Sequence, residues 1–200
     1  FNKTFIQAVN IINNCKGKII LSGQGKSGRI AAKVSSTLSS VGIPSFFIHP
    51  SETSHGDSGA IQKKDVLIVV SYSGNTVELT SILKYANRFG IKIIGCASKK
   101  DSMLMRASDV KILLPKVREA DPTGMVPTSS TTLTLLYFDC LAVALMNKMK
   151  FSKDKFKVYH AGGNIGKNLL LVKDIMITGK KLPTININKT INDAVKVINK

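Results

Sequence analysis

The sequence predicts an α/β fold in which an open, mostly parallel sheet of five strands is flanked by helices. Short apolar runs rich in β-branched residues recur along the chain, as expected for parallel strands covered on both faces. Stretches with apolar residues at helical spacing separate these runs, which is the pattern of repeated βαβ units. Three helices also begin in clusters of small hydroxyl residues, and such loops are expected to meet at the carboxyl edge of the sheet.

The predicted elements follow one another in regular order. Strands are predicted at 18–21, 45–48, 66–70, 91–96 and 110–114. Apolar residues recur with a helical period between them and predict helices at 5–12, 30–42, 76–90, 102–107 and 129–149. The residues assigned to the apolar sides of these helices include Ile6, Val77 and Leu136.

The third strand ends in a loop that has the properties of an anion site. Ser71, Ser73 and Thr76 surround Gly74, and a helix is predicted directly after them. The N–H groups of a helix's first turn have no partner inside the helix, and the helix dipole adds partial positive charge there. Because the hydroxyl groups can donate to phosphate oxygens, a phosphate site is predicted here. The alternative is an ordinary helix N-cap, although a cap needs only one hydroxyl.

The first strand also ends in a glycine-rich loop. Gly23, Gly25 and Gly28 match the G-x-G-x-x-G fingerprint of dinucleotide-binding loops in the expected strand-to-helix context. That fingerprint expects an acidic residue at the end of the next strand, but this strand runs into His49. Lys26, inside the loop, suits a single anionic group better than a pyrophosphate. A nicotinamide-dependent oxidoreductase remains an alternative at this point.

The chain carries a net charge of +17, from 29 basic and 12 acidic residues. Such a charge fits nucleic acid, a membrane surface or small anionic substrates, or a lysine-rich bias at solvated positions. The lysines are spread along the chain, aromatic residues make up 6%, Trp is absent, and no nucleic-acid motif occurs. A small anionic substrate is therefore predicted, with neither nucleic acid nor a membrane as partner.

Cysteine usage bears on the cellular setting. Cys15, Cys96 and Cys140 are scattered without a C-x-x-C motif, which argues against a disulfide framework and predicts a reducing, cytoplasmic setting. No apolar run in the sequence approaches the ~20 residues that a membrane-spanning helix needs. The chain begins with Phe1 rather than Met, so its natural N-terminus is expected upstream, and no targeting signal can be read from it.

Two irregular stretches carry further candidate residues. The loop after the second strand contains His49 and His55, but two histidines do not form a metal site without further ligands. The segment before the last long helix contains Glu119, and that helix opens with the third hydroxyl cluster, at 129–132. His160 stands beside Gly162 and Gly163 in a polar stretch farther along the chain.

The tail of the chain differs in character from the rest. From about 173 onward, the pattern is that of the first strand and helix of another module. Residues 1–172 are therefore predicted to form one domain, and 173–200 a linker and the truncated start of a second.

Six motifs occur in order along the chain: GKSG at 25–28, PSFFIHP at 44–50, HGD at 55–57, SYSGNTVE at 71–78, READPTGMVPTSSTT at 118–132 and HAGGNIGKNLL at 160–170. Together they resemble the arabinose-5-phosphate isomerase family, whose members are built on the sugar isomerase (SIS) domain. The resemblance implies a three-layer, flavodoxin-like SIS domain, with the tail as the start of the paired CBS domains found in many members. It also implies interconversion of D-ribulose 5-phosphate and D-arabinose 5-phosphate, for Kdo and lipopolysaccharide synthesis, by a homotetramer.

The resemblance also implies roles for individual residues. Carried over by position, the catalytic residues are Lys26, Glu78, Glu119 and His160. Substrate contacts are implied along the helix at 81–90 and near Gly42, Ile43, His49, His55, Pro115, Lys116 and Val117. The glycine and hydroxyl loops add Ser27, Ser71, Ser73, Thr76, Ser129, Ser130 and Thr131 as candidates for substrate binding. No cofactor is required, and zinc is associated with the histidine that matches His49.

Two residues beside the expected phosphate site depart from the family's pattern. Tyr72 stands where Asn is usual, and Asn75 stands where Glu is common. Because both lie in the serine loop, the choice among sugar phosphates stays open at this point.

The implied reaction sets the roles that these residues would play. Aldose–ketose isomerisation moves a proton between C1 and C2 through an enediolate, which needs a base and a group that stabilises the developing oxyanion. Glu78 or Glu119 is the candidate base and Lys26 the oxyanion stabiliser. His160 either moves a proton between oxygens or helps to open the sugar ring. Glu78 could instead stabilise a helix N-terminus, and Glu119 could pair with Arg118. A SIS domain that binds sugar phosphates without catalysis is the alternative function.

Overall fold

Strands and helices alternate over the first part of the chain. The computed structural model describes residues 3–160 and 170–198. Its strands are β1 (Ile19–Gly23), β2 (Ser45–Ile48), β3 (Val66–Val70), β4 (Lys92–Ala97) and β5 (Val110–Leu113). Its α-helices up to residue 160 are α1 (Lys3–Asn13), α2 (Gly25–Ser40), α3 (Thr80–Phe89), α4 (Met103–Ala107), α5 (Ser129–Lys148) and α6 (Lys153–Tyr159). Short 3₁₀ helices cover Glu52–His55, Asp57–Ala60 and Val77–Leu79.

The strands form one five-stranded sheet in the order β2-β1-β3-β4-β5. Every neighbouring pair is parallel, so the predicted open, mostly parallel sheet is confirmed. The chain moves outward from β1 in one direction to β2, and in the other direction through β3 to β5. The strand order therefore reverses between β1 and β3, and ligands of open α/β sheets bind at such a reversal, beyond the carboxyl ends of the strands.

The register of β1 and β3 determines which loops are neighbours at this point. Gly23, at the end of β1, lies opposite Val70, at the end of β3. Gln24 with the first turn of α2, and the hydroxyl loop at 71–76, therefore leave the sheet side by side.

Helices cover both faces of the sheet, which makes the predicted three layers. One core cluster combines α1, α2 and α5 with sheet residues such as Leu21 and Ile68. The other cluster combines α3 and α4 with the strand residues on the opposite face of the sheet, such as Ile20 and Leu67. Because both faces are covered, β1 and β3 are buried at every position, which explains the apolar runs Ile19–Leu21 and Val66–Val70.

Three residues predicted on apolar helix sides are instead exposed: Ile6 by 53%, Val77 by 78% and Leu136 by 59%. The turn after Thr76 is a 3₁₀ helix with three residues per turn, so Leu79 rather than Val77 is directed into the core. In α5, the buried positions recur every three or four residues through Ser130, Thr134, Phe138, Leu141, Ala142 and Leu145. Leu136 lies between two of these positions, on the opposite side of the helix.

Helix α5 also bears on the question of a membrane span. It has 20 residues with a mean hydropathy of 1.4, and it is the one helix among the described residues that is long and apolar enough to cross a bilayer. The core helix of a globular domain passes the same test of length and composition, and Phe138 and Leu141 on α5 are fully buried in the core cluster of one sheet face.

The chain divides into two compact units, 1–159 and 160–200. The described part of the second unit contains α7 (Val172–Ile175), a 3₁₀ turn at Gly179–Lys181 and α8 (Ile191–Ile198). Its large apolar side chains are exposed, with Ile187 at 96% and Ile191 at 84%.

Candidate functional site

A cleft of about 340 Å³ opens beyond the carboxyl ends of β1 and β3, where the strand order reverses. It brings together predicted site residues from four separate stretches of the chain: Lys26, Ser27, Ser73, Glu119, Ser130 and Thr131. The rest of its lining is Gln24, Ile30, Tyr72, Met125, Pro127 and Thr134.

The first turn of α2 forms one wall of this cleft. The turn can come close to β1 because Gly28 packs against the backbone of Gly23. A Cβ added to Gly28 would overlap the Gly23 carbonyl oxygen and lie 3.0 Å from the carbonyl carbon. Lys26 is the second residue of α2 and its side chain is exposed. The cleft wall thus combines an ammonium group with the positive end of a helix dipole.

All three predicted hydroxyls of the loop after β3 make hydrogen bonds inside the loop. The hydroxyls of Ser71 and Thr76 are hydrogen-bonded to each other at 2.8 Å, and the N–H of Gly74 donates to Ser71 Oγ at 3.1 Å. Gly74 has φ +69°, and a Cβ there would lie 2.5 Å from Cβ of Ser102. Ser73 Oγ accepts from the N–H of Asn75 at the longer distance of 3.3 Å, and Ser73 is the one of the three that is exposed and lines the cleft.

Glu119 stands at the N-terminus of α5. Its Oε2 accepts hydrogen bonds from the N–H of Thr128 at 2.7 Å and from the N–H of Ser130 at 3.2 Å. The hydroxyl of Thr128 donates to the same oxygen at 3.2 Å. The Ser130 side-chain hydrogen bond, followed by the Thr128 N–H, lowers the pKa of Glu119 to about 2. The described partners of Glu119 are thus Thr128 and Ser130 rather than Arg118.

This arrangement predicts an acid-sensitive contribution to stability. Because the pKa of Glu119 falls from 4.5 to about 2 on folding, the contribution is complete above about pH 4.5 and is lost as the pH falls towards 2. We expect Glu119→Gln, which can still accept the N–H bonds but carries no charge, to flatten the pH dependence of the unfolding free energy in this window. Urea unfolding at several pH values measures this pH dependence. If the unfolding free energies of variant and wild type change with pH in parallel, the lowered pKa of Glu119 is contradicted.

Several predicted residues lie outside the cleft. Glu78 is exposed in the 3₁₀ turn before α3 and does not line the cleft. His49 lines a neighbouring pocket of about 270 Å³ with Arg29, and its ring contacts Phe47 edge-on with centroids 6.4 Å apart. His55 is exposed at the end of a 3₁₀ helix.

Other predicted contacts lie farther away. Gly42 and Ile43 precede β2, and they line a separate pocket with Ile19, the first residue of β1. They therefore lie at the amino edge of the sheet, opposite the cleft, and the chain does not bring them to it. Helix α3, which contains most of the predicted contact stretch 81–90, packs in the core cluster on the sheet face opposite α2 and α5.

The remaining predicted residues flank the cleft or belong to the second unit. Pro115 and Val117 are hydrogen-bonded to Tyr72, a cleft residue, while Lys116 is exposed, and Ser129 is half-buried at the start of α5. His160 is the first residue of the second unit, and the Gly-Gly pair after it lies outside the described residues.

The zinc ion expected at His49 does not fit the residues around it. Within the described ranges, no group of three or more His, Cys, Asp and Glu side chains could hold a metal ion. The pocket of His49 also contains Arg29, whose guanidinium repels a cation. We therefore assign no metal-dependent step to this site.

The family profile for the SIS domain matches residues 11–144. The chain belongs to the SIS domain family. The SIS domain predicted from the motifs is therefore confirmed, and its cleft lies at the point where the strand order reverses.

Two curated relatives, both named arabinose 5-phosphate isomerase KdsD, match nearly the whole chain. Arabinose 5-phosphate isomerase KdsD of Escherichia coli K12 is 41% identical over 194 residues, which are 96% of this chain and 59% of that protein. KdsD of Pseudomonas aeruginosa is 40% identical over 191 residues, 95% of this chain and 59% of that protein. The chain thus spans about 59% of the length of these curated relatives.

Solved structures give the same picture of the fold. A structure from E. coli CFT073 in complex with arabinose 5-phosphate has a TM-score of 0.76 and 37% identity, and covers 78% of this chain and 83% of that one. A structure from Listeria monocytogenes, named a sugar-phosphate isomerase, has a TM-score of 0.78 and 33% identity. The match covers 81% of this chain and 85% of that one.

Sequence reasoning assigned no site role to several residues that line the SIS cleft, among them Gln24 and Met125. Gln24 lies in the glycine loop, and its Oε1 is buried without a hydrogen-bond partner among the described residues. Met125 is 76% exposed in the loop between Glu119 and α5. The position of Gln24 between two loop glycines was a usable signal, whereas the loop of Met125 has no periodic pattern that predicts its position.

Proposed function

We propose that this chain is the SIS domain of an aldose–ketose isomerase that interconverts D-ribulose 5-phosphate and D-arabinose 5-phosphate through an enediolate. The observation that carries the proposal is the meeting of Lys26, four predicted hydroxyl residues and Glu119 in one cleft. The similarity to arabinose 5-phosphate isomerases and to a structure that holds arabinose 5-phosphate supports the choice of sugar phosphate. The D-arabinose 5-phosphate produced would feed Kdo and lipopolysaccharide synthesis.

The cleft has the chemistry that a phosphorylated sugar requires. Lys26 supplies a cation, and the hydroxyls of Ser27 and Ser73 supply neutral donors. The positive end of α2 lines the cleft, so the field at this wall favours an anion, whereas the Glu119 carboxylate occupies the positive end of α5. The net charge of +17 adds a long-range attraction for anionic substrates.

Glu119 is the better candidate for the base, because it lines the cleft and Glu78 does not. Three hydrogen bonds end on Oε2, and the Ser130 hydroxyl bonds to the same carboxylate. A pKa of about 2 keeps the carboxylate ionised but makes it a weak base. A bound phosphate dianion and the exclusion of water both raise a carboxylate pKa, so substrate would strengthen this base.

The remaining steps need no cofactor in this proposal. The proton taken from C1 of the ketose returns to C2, which gives the aldose. The ammonium group of Lys26 stabilises the negative charge that develops on the oxygens. His160 is kept as the candidate that moves a proton between O1 and O2.

Turnover of ribulose 5-phosphate tests the proposal. The full-length protein and the 200-residue chain are incubated in D₂O with ribulose 5-phosphate, and products are followed by NMR. We expect arabinose 5-phosphate with deuterium at the transferred carbon position, and no comparable reaction with ribose 5-phosphate or glucose 6-phosphate. Binding of arabinose 5-phosphate without turnover would instead identify a sugar-phosphate sensor, the alternative function.

Further properties are proposed with the function. We place the SIS domain in residues 1–172 and the start of a CBS module in 173–200, where exposed apolar residues such as Ile187 suit a module that packs against further chain. We propose a homotetramer, for which exposed Leu136 and Val143 on α5 offer an apolar contact surface. The free Cys15, Cys96 and Cys140 fit a cytoplasmic setting. Neither nucleic acid nor a membrane is part of the proposal.

A further inference from the structure

Tyr72 is the one aromatic side chain among the described residues that line the cleft. It is the second residue after β3, and its half-buried ring packs against the core cluster of α1, α2 and α5. Its carbonyl oxygen accepts hydrogen bonds from the N–H of Ser98 at 2.8 Å and from the Ser98 hydroxyl at 2.7 Å. Ring and backbone are therefore both held in place.

The hydroxyl of Tyr72 joins this fixed ring to the stretch that follows β5. It accepts a hydrogen bond from the N–H of Val117 at 2.8 Å and donates one to the carbonyl oxygen of Pro115 at 3.2 Å. Residues 115–118 belong to neither a helix nor a strand. The phenol thus contacts this irregular stretch at two backbone atoms.

Glu119 lies two residues beyond Val117. On the other side of Glu119, the N–H of Ala120 donates to the Thr128 hydroxyl at 2.8 Å. The backbone that carries the carboxylate is therefore held from both directions, by Tyr72 before it and by Thr128 after it. Movement of the stretch at 115–117 would move the carboxylate away from the N–H groups at the start of α5.

We propose that Tyr72 is a positioning residue, whose hydroxyl holds residues 115–117 and thereby places the Glu119 carboxylate at the cleft. Its catalytic consequence rests on the proposed function, in which Glu119 is the base. A hydroxyl is needed because it donates and accepts at once, which Phe does not. The contact with the Val117 N–H is made at the far end of the Tyr72 ring, so a short polar side chain does not replace it.

Tyr72→Phe tests the proposal because it keeps the ring and removes both hydrogen bonds. In the full-length protein, we expect kcat for ribulose 5-phosphate to fall about tenfold, with KM changed less than about twofold. We also expect the amide hydrogens of Val117, Thr128 and Ser130 to exchange about tenfold faster, because the Glu119 cap loosens with the stretch.

Ser108→Ala is the matched control, since it also removes a hydroxyl that donates to a backbone carbonyl oxygen, that of Leu104 at 2.7 Å, and Ser108 neither lines the cleft nor belongs to an implied binding stretch. It should leave kcat and these three amides unchanged. Faster exchange at Val117 alone, with Thr128 and Ser130 unchanged, would overturn the proposal, as would an unchanged kcat in an active enzyme. If the wild type does not turn over ribulose 5-phosphate, the proposed function fails, and exchange at Thr128 and Ser130 still decides the positioning role.

Discussion

Glu119→Gln should lower kcat for ribulose 5-phosphate by about 10²–10⁴-fold, the usual contribution of a general base. Gln keeps the shape of the side chain and an oxygen that accepts the N–H bonds of Thr128 and Ser130. It cannot take up the carbon proton at neutral pH. We therefore expect the protein to remain folded and to bind arabinose 5-phosphate with an affinity close to that of the wild type. Steady-state kinetics and a binding titration measure the two effects.

Glu78→Gln is the matched control for this prediction. It makes the same chemical change at a carboxylate that is exposed and does not line the cleft. We expect its kcat to stay within a few-fold of the wild type. The reverse outcome, with Glu119→Gln active and Glu78→Gln inactive, would transfer the role of base to Glu78. Urea unfolding at pH 7 checks that neither variant loses activity through misfolding.

Gly28→Ala should be the most disruptive single methyl group in the cleft wall. The new Cβ would overlap the Gly23 carbonyl oxygen, which is rigid backbone, so α2 must move away from β1. Overpacking of this kind costs about 1–3 kcal/mol, and occasionally more. Lys26 and Ser27 lie on the same turn, so we also expect a higher KM for ribulose 5-phosphate. Urea unfolding and steady-state kinetics give the two values.

Gly59→Ala provides the control for the added methyl group. A Cβ at Gly59 meets nothing within 4 Å. We expect its unfolding free energy to stay within about 1 kcal/mol of the wild type, because reduced freedom of the unfolded chain is the main effect. Equal destabilisation by the two substitutions would show that the packing of Gly28 against Gly23 is not responsible.

The predicted strands agree with the structure because the sequence contains a direct signal for each. The run Val66–Val70 is apolar at every position, which a strand needs only when helices cover both of its faces. Helix faces were less predictable. Val77 has the right spacing for an apolar α-helical side, but a 3₁₀ turn changes the rotation per residue, and propensity patterns do not distinguish the two turns.

The site was predictable to the extent that it depends on strand ends. Lys26 and Ser73 follow β1 and β3, so a parallel sheet with these strands adjacent must bring their loops together. The same reasoning places Gly42 and Ile43 at the amino edge, because they precede a strand. Their implied role as substrate contacts came from the resemblance alone, and a single chain does not bring them to the cleft.

The sequence by itself determined the strands, the glycine loops and the chemical types of residue at the carboxyl edge, because these follow from local patterns of burial and backbone freedom. Only the tertiary structure decided that Ser71 bonds to Thr76 while Ser73 faces the cleft, and that Glu119 caps α5 instead of pairing with Arg118. The physical reason is that hydroxyl and carboxylate groups have many partners of similar energy. The choice among them depends on loop dihedral angles and on contacts between distant segments, which no local pattern encodes.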